Sequence, residues 1–104
     1  MSNPLDGYCN MREVDEESKH VFMKATISIC QHYVSEYDHF STCKLKGYKK
    51  KIVKGTNYLL KVEFQKEEAQ KTLWCKVFQS LPCYGGNIEY KGLNEDETRA
   101  SQID

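Results

Sequence analysis

Five cysteines and three histidines are the residues whose types could do covalent chemistry: Cys9, Cys30, Cys43, Cys75 and Cys83, with His20, His32 and His39. A nucleophilic Cys–His pair needs both groups in one cleft with a third group to orient the imidazole. Here every histidine falls in or just after a single helical run, and Cys30 beside His32 reads as a helix neighbour. The cysteines lack the paired short spacings of a zinc site, so neither metal binding nor any cofactor is expected. An odd number of cysteines suits free thiols acting as small hydrophobes in a reducing compartment; if a leader has been removed, a Cys75–Cys83 disulfide is open. A redox or metal protein would lose its activity on alkylation or chelation. The better candidates for function are apolar groups placed where a fold would expose them. Lys51-Ile52-Val53-Lys54-Gly55 leads into Thr56-Asn57-Tyr58-Leu59-Leu60 and reads as strand, tight turn, strand. Gly55 permits a positive φ at the turn, and Ile52 and Val53 would then project as a binding edge.

Composition narrows the classes. The 104 residues hold 15 basic and 15 acidic side chains, so net charge gives no pull toward nucleic acid or anionic lipid. Charge is segregated instead. Lys44, Lys46, Lys49, Lys50, Lys51 and Lys54 crowd the middle, and acidic clusters flank them at 13–17 and 95–97, a pattern of solvated faces. No apolar run is long enough to span a membrane, and the start lacks a basic end followed by an apolar core. A cytoplasmic location is therefore expected.

The elements that must position the tips follow from periodicity. One domain over 1–104 is expected, with a flexible or extended arm over 1–12 and a polar tail over 94–104. Val14-Asp15-Glu16-Glu17-Ser18 is acidic as a helix start prefers, and a helix is expected over 16–34. Phe22, Ala25, Ile29 and Tyr33 form its stripe, with Met23, Ile27, Cys30 and Val34 broadening it toward a helix gripped by a curved sheet. Strands are expected over 41–53, with Gly47 as a bulge, then over 57–64, 73–80 and 87–90. Residues 65–71 read as a polar connection, Leu81-Pro82 stops the third strand, and Tyr84-Gly85-Gly86 turns the chain. The pattern predicts α+β: an antiparallel sheet of four to five strands wrapped around one long helix. Alternate turns of such a sheet share an end. Val53–Gly55 and Leu81–Pro82 should then lie together, the turn near Glu67 at the opposite end, and the arm beside the two apolar tips.

These residues resemble the cystatins, protein inhibitors of papain-like cysteine proteases. The family's first-hairpin signature is Gln-x-Val-x-Gly. Lys51-Ile52-Val53-Lys54-Gly55 keeps the valine and glycine, and Thr56-Asn57-Tyr58 follows as in the intracellular members, the stefins. Val77-Phe78-Gln79-Ser80-Leu81-Pro82 looks like the stefin second hairpin, and Val14-Asp15-Glu16-Glu17 looks like the helix start of the secreted cystatins. Lys51 stands where the family has an uncharged amide. The resemblance implies reversible, noncovalent inhibition of papain-like, cathepsin-type proteases by a wedge, not catalysis. Leu5, Asp6 and Gly7 of the arm, Lys51, Ile52, Val53, Lys54 and Gly55 of the first tip, and Leu81 and Pro82 of the second would touch the protease. In the register of these matches Gly7 falls on the family's inhibitory glycine, and Cys83 and Tyr84 would be additional contacts. The secreted members also block legumain-type proteases with an asparagine after the helix; Ser35 stands near that position, so that activity is not carried over. A monomer is implied, able to exchange its first hairpin into a domain-swapped dimer. The alternative is a noninhibitory interaction module on the same fold.

Overall fold

Asp15 starts the long helix by reciprocal capping. Its carboxylate accepts from the Ser18 amide at 2.9 Å while the Ser18 hydroxyl accepts from the Asp15 amide at 2.9 Å. The computed structural model describes residues 7–104, and in it helix α1 runs Glu16–Glu36. Four strands follow: β1 Thr42–Val53, β2 Gly55–Lys66, β3 Ala69–Gln79 and β4 Ile88–Asn94. They pair antiparallel in chain order, a 4-stranded α+β arrangement with α1 packed on one face.

Packing selects a narrower helix stripe than periodicity suggests. Val21, Ala25, Ile29 and Tyr33 are buried, spaced four residues apart along one helix face. Met23, Ile27 and Val34, expected to broaden the stripe, are instead 69%, 70% and 49% exposed. Opposite stand Tyr58, Leu60, Val62 and Phe64 of β2 and Leu73, Cys75 and Val77 of β3. Tyr33 stacks on Phe64 with ring centroids 3.8 Å apart, and Phe40 sets its edge against both. Each fully buried Leu, Ile or Val here is worth about 1.5–3 kcal/mol, so this layer dominates stability.

Two polar segments, the connection and the tail, carry regular structure. The connection over 65–71 shrinks to a tight turn: β2 continues to Lys66 and pairs with Ala69 directly across it. Cross-strand hydrogen bonds tolerate polar side chains at a hairpin end exposed on both faces, where composition imitates a loop. The tail over 94–104 contains a short helix, α2 Glu97–Ser101, capped by Asp96. Ala100 of α2 is buried with Leu59 and Tyr8, and Trp74 and Ile103 pack around them. Leu59 alternates with Tyr58 and Leu60, so this second small core lies on the sheet face away from α1. Lys76 holds the tail by donating to the carbonyls of Ser101 at 3.0 Å and Ile103 at 2.6 Å, and Lys49 pairs with Glu97 at 2.7 Å. The expected bulge is present, a register shift between Leu45 and Gly47.

Candidate functional site

The β1–β2 and β3–β4 connections lie at one end of the sheet because β2 and β3 run antiparallel with Thr56 opposite Gln79. At the first tip Ile52 is 69% and Val53 41% exposed, a large apolar area to leave in water. Gly55 holds this tip at φ 120°, and a Cβ there would stand 2.5 Å from the Gln79 carbonyl oxygen and 2.6 Å from the Phe78 ring. Only glycine combines that φ with that closeness, so Gly55 presses the first tip against the strand leading into the second.

The second tip is rigid for different reasons. Leu81 is extended, with φ −60° and ψ 151°, and Pro82–Tyr84 form a 3-10 turn closed by Gly85 N–H donating to the Pro82 carbonyl at 3.0 Å. The Gly86 amide donates to the Leu81 carbonyl at 3.0 Å, the Ser80 amide to Asn87 at 2.9 Å, and the Gln79 side chain to the Gly86 carbonyl at 3.2 Å. Leu81 is half-buried, and Pro82, Cys83 and Tyr84 are exposed, Tyr84 at 73%. Gly55, Thr56, Gln79, Leu81, Pro82 and Gly86 line a shallow depression between the tips.

The third part is the arm. From Tyr8 it lies extended along the free edge of β1. The Cys9 amide donates to the Lys50 carbonyl at 3.0 Å, and Arg12 and Tyr48 exchange backbone bonds at 2.8 and 3.1 Å. Gly7, at φ 84°, sits beside the Lys51 side chain: a Cβ on Gly7 would come within 2.6 Å of Lys51 Cε. Gly7, Lys51, Ile52, Val53, Lys54, Gly55, Leu81 and Pro82 thus gather at one end. Leu5 and Asp6 lie outside the described residues. Tyr8, the arm's buried anchor, is the residue that the sequence reading passed over; it is the one aromatic in the arm, and that was the available signal.

A polar cluster behind the first tip fixes its direction. The Glu17 carboxylate accepts from Tyr58 at 2.7 Å and from Lys50 at 2.8 and 3.0 Å, and Tyr48 donates to Asp15 at 2.8 Å. Arg12 lies over the Tyr48 ring, 5.8 Å from its centroid. Burial pushes the Glu17 carboxyl up, but the bonds from Lys50 and Tyr58 and the Lys50 charge outweigh it and leave the group below its ordinary value. The Ser18 amide, followed by the Tyr48 hydroxyl, lowers Asp15 likewise. Burial, followed by the bond to Asp15, pushes Tyr48 up to about 12. Tyr58, third residue of the Thr56-Asn57-Tyr58 run, therefore ties the hairpin to the helix start.

Two of the thiols, Cys43 and Cys75, are poorly suited to nucleophilic chemistry. All five cysteines are free. Burial drives the Cys75 thiol strongly upward, and burial with Cys30 nearby pushes Cys43 up to about 12, the reverse of what a nucleophilic thiolate needs. His32 is engaged on both ring nitrogens, by the Tyr90 hydroxyl at 2.7 Å and Glu36 at 2.9 Å. Among the described residues no group of at least 3 His, Cys, Asp or Glu side chains is placed to hold a metal ion.

No family profile matches the chain. Against curated proteins it is similar to Cystatin-B from Oplegnathus fasciatus, 32% identical over 68 residues that span 65% of this chain and 62% of that protein. That sequence similarity, with one long helix packed on a four-stranded antiparallel sheet, fits the cystatin superfamily, stefins included.

Proposed function

We propose that this protein is a reversible, noncovalent inhibitor of papain-like cysteine proteases of the cathepsin type, acting in the cytoplasm, and not an enzyme. The observation that carries the reading is the rim itself: exposed Ile52, Val53 and Pro82 on two stiff turns, with Gly7 beside them. A concave protease cleft accepts such a wedge. The two tips would cover the catalytic cysteine and histidine while presenting no peptide bond to the nucleophile. The arm would enter the substrate subsites on one side, Leu5 and Asp6 preceding the glycine that brings the backbone close. Stiff turns lose little entropy on docking, which favours Val53 as the anchor. Burying a leucine-sized side chain is worth roughly 2 kcal/mol, so loss of the Leu5 contact should weaken binding more than about tenfold.

The departure at Lys51 favours one alternative, a noninhibitory interaction module on this fold, because a cation replaces the family's neutral amide at the tip. Titration of papain separates the two. Submicromolar inhibition that collapses on Gly7→Arg supports the inhibitor; no inhibition at high micromolar concentration supports the module. The resting state is a monomer, with a dimer formed by exchange of the first hairpin as the secondary form. Size-exclusion mass before and after mild heating tests that, and a strictly monomeric result counts against the dimer.

A further inference from the structure

The lysine that departs from the family signature does not point into open solvent. Its stem runs beneath Gly7: a Cβ on that glycine would meet Lys51 Cε at 2.6 Å, Cδ at 3.0 Å and Nζ at 3.2 Å. Its ammonium lies 6.0 Å from the centroid of the Tyr8 ring, within reach of a cation–π attraction. Tyr8 is itself sunk against Leu59 and Ala100, and the next residue, Cys9, bonds the backbone of Lys50 through its amide. One side chain of the first tip therefore runs alongside the glycine of the arm and reaches toward its aromatic anchor.

We propose that Lys51 is a positioning residue that clamps the N-terminal arm onto the free protein, so that the arm and the first tip form one preassembled surface. This rests on the inhibitor reading for its consequence in binding, though the clamp exists without a protease. An arm that must order itself upon docking lowers apparent affinity by the fraction of time it is competent. A clamped arm removes that loss. The predicted signature is kinetic: weakening the clamp lowers the association rate and leaves dissociation nearly unchanged, because the bound arm is held by the protease. A Lys51 that contacted the protease directly would show the reverse, since broken contacts appear mainly in dissociation.

The test uses the full chain with Lys51→Ala, which removes stem and charge, and Lys51→Met, which keeps most of the stem. Amide hydrogen exchange at Cys9 is measured in the free proteins, with Leu60 in the central sheet as reference. Exchange at Cys9 should rise roughly fivefold in Lys51→Ala and by a smaller factor in Lys51→Met, with Leu60 unchanged. Association with papain should slow in Lys51→Ala by the fraction of arm that the variant leaves unclamped, a smaller factor than the rise in exchange, with dissociation nearly unchanged. Unchanged exchange at Cys9 in Lys51→Ala overturns the clamp, as does a faster dissociation with an unaltered association rate. If the parent chain does not inhibit papain, the inhibitor reading fails while the exchange result still decides the clamp.

Discussion

The two ends of the sheet carry turns of similar length and opposite character. At the Val53–Gly55 end, Ile52, Val53 and Tyr84 are exposed, on backbone fixed by Gly55 and by the bonds of the 3-10 turn. At the Glu67 end several exposed side chains are paired. Lys66 pairs with Asp38 at 2.5 Å, Lys71 pairs with Glu95 at 3.0 Å and lies 5.0 Å from the Tyr37 ring centroid, and Gln65 bonds the Glu67 carbonyl at 3.2 Å. Both turns need positive φ, yet one uses glycine at 120° and the other tolerates Glu67 at 55°. The Glu67 turn only reverses the chain in open solvent. The Gly55 turn must also press against Gln79 and Phe78, so its residue type is dictated by a contact across the rim and not by the turn alone.

Gly55→Val should break that contrast most severely. A β-branched residue at that φ, aimed at the Gln79 carbonyl, costs about 3 kcal/mol or more, which lowers the Tm by at least roughly 10 °C in a domain of this size. Papain inhibition should fall with it as the tips separate; an unchanged melting curve would mean that the rim contact is not there.

Val53→Asp probes the apolar surface without touching the backbone. Because Val53 is 41% exposed, stability should stay within about 0.5 kcal/mol of the parent. Inhibition should drop more than about tenfold, since a carboxylate replaces an apolar anchor. A variant as potent as the parent would remove Val53 from the proposed wedge.

Acid should loosen the same end from behind. Asp15 and Glu17 are lowered in the folded state from ordinary values of 3.8 and 4.5, so their stabilisation is complete above those values and is lost as pH falls through the depressed folded ones. Urea midpoints measured downward from neutral pH should therefore hold level and then decline in acid. Glu17→Gln should remove part of that decline; a slope identical to the parent's would show that Glu17 contributes nothing to it. The smallest effect belongs to the opposite turn. Glu67→Gly relieves a left-handed residue and should stabilise by about 0.5 kcal/mol with inhibition unchanged.

The tips were legible because turn chemistry is local. Valine before a glycine, and proline after a strand, announce themselves within a few residues. The helix was legible for a similar reason, since its acidic start and repeating apolar positions are properties of one segment. Its width was not: Met23 and Ile27 match the periodicity as well as Val21 does, and only the reach of the sheet decides which are covered. The tail shows the same limit. Its composition is polar, yet Ala100 and Ile103 find partners in Leu59, Trp74 and Tyr8, residues as many as 95 positions away in the case of Ile103 and Tyr8.

By itself the sequence determined the order of helix and strands, the two apolar turns, and the glycine that the first turn requires, because each follows from the preferences of neighbouring residues. The tertiary structure decided that Tyr8 anchors the arm, that Lys51 lies under Gly7, and that Tyr58 and Lys50 converge on Glu17. Those contacts join segments far apart along the chain. Their existence depends on how the antiparallel sheet registers its strands and seats the helix, which no local preference encodes.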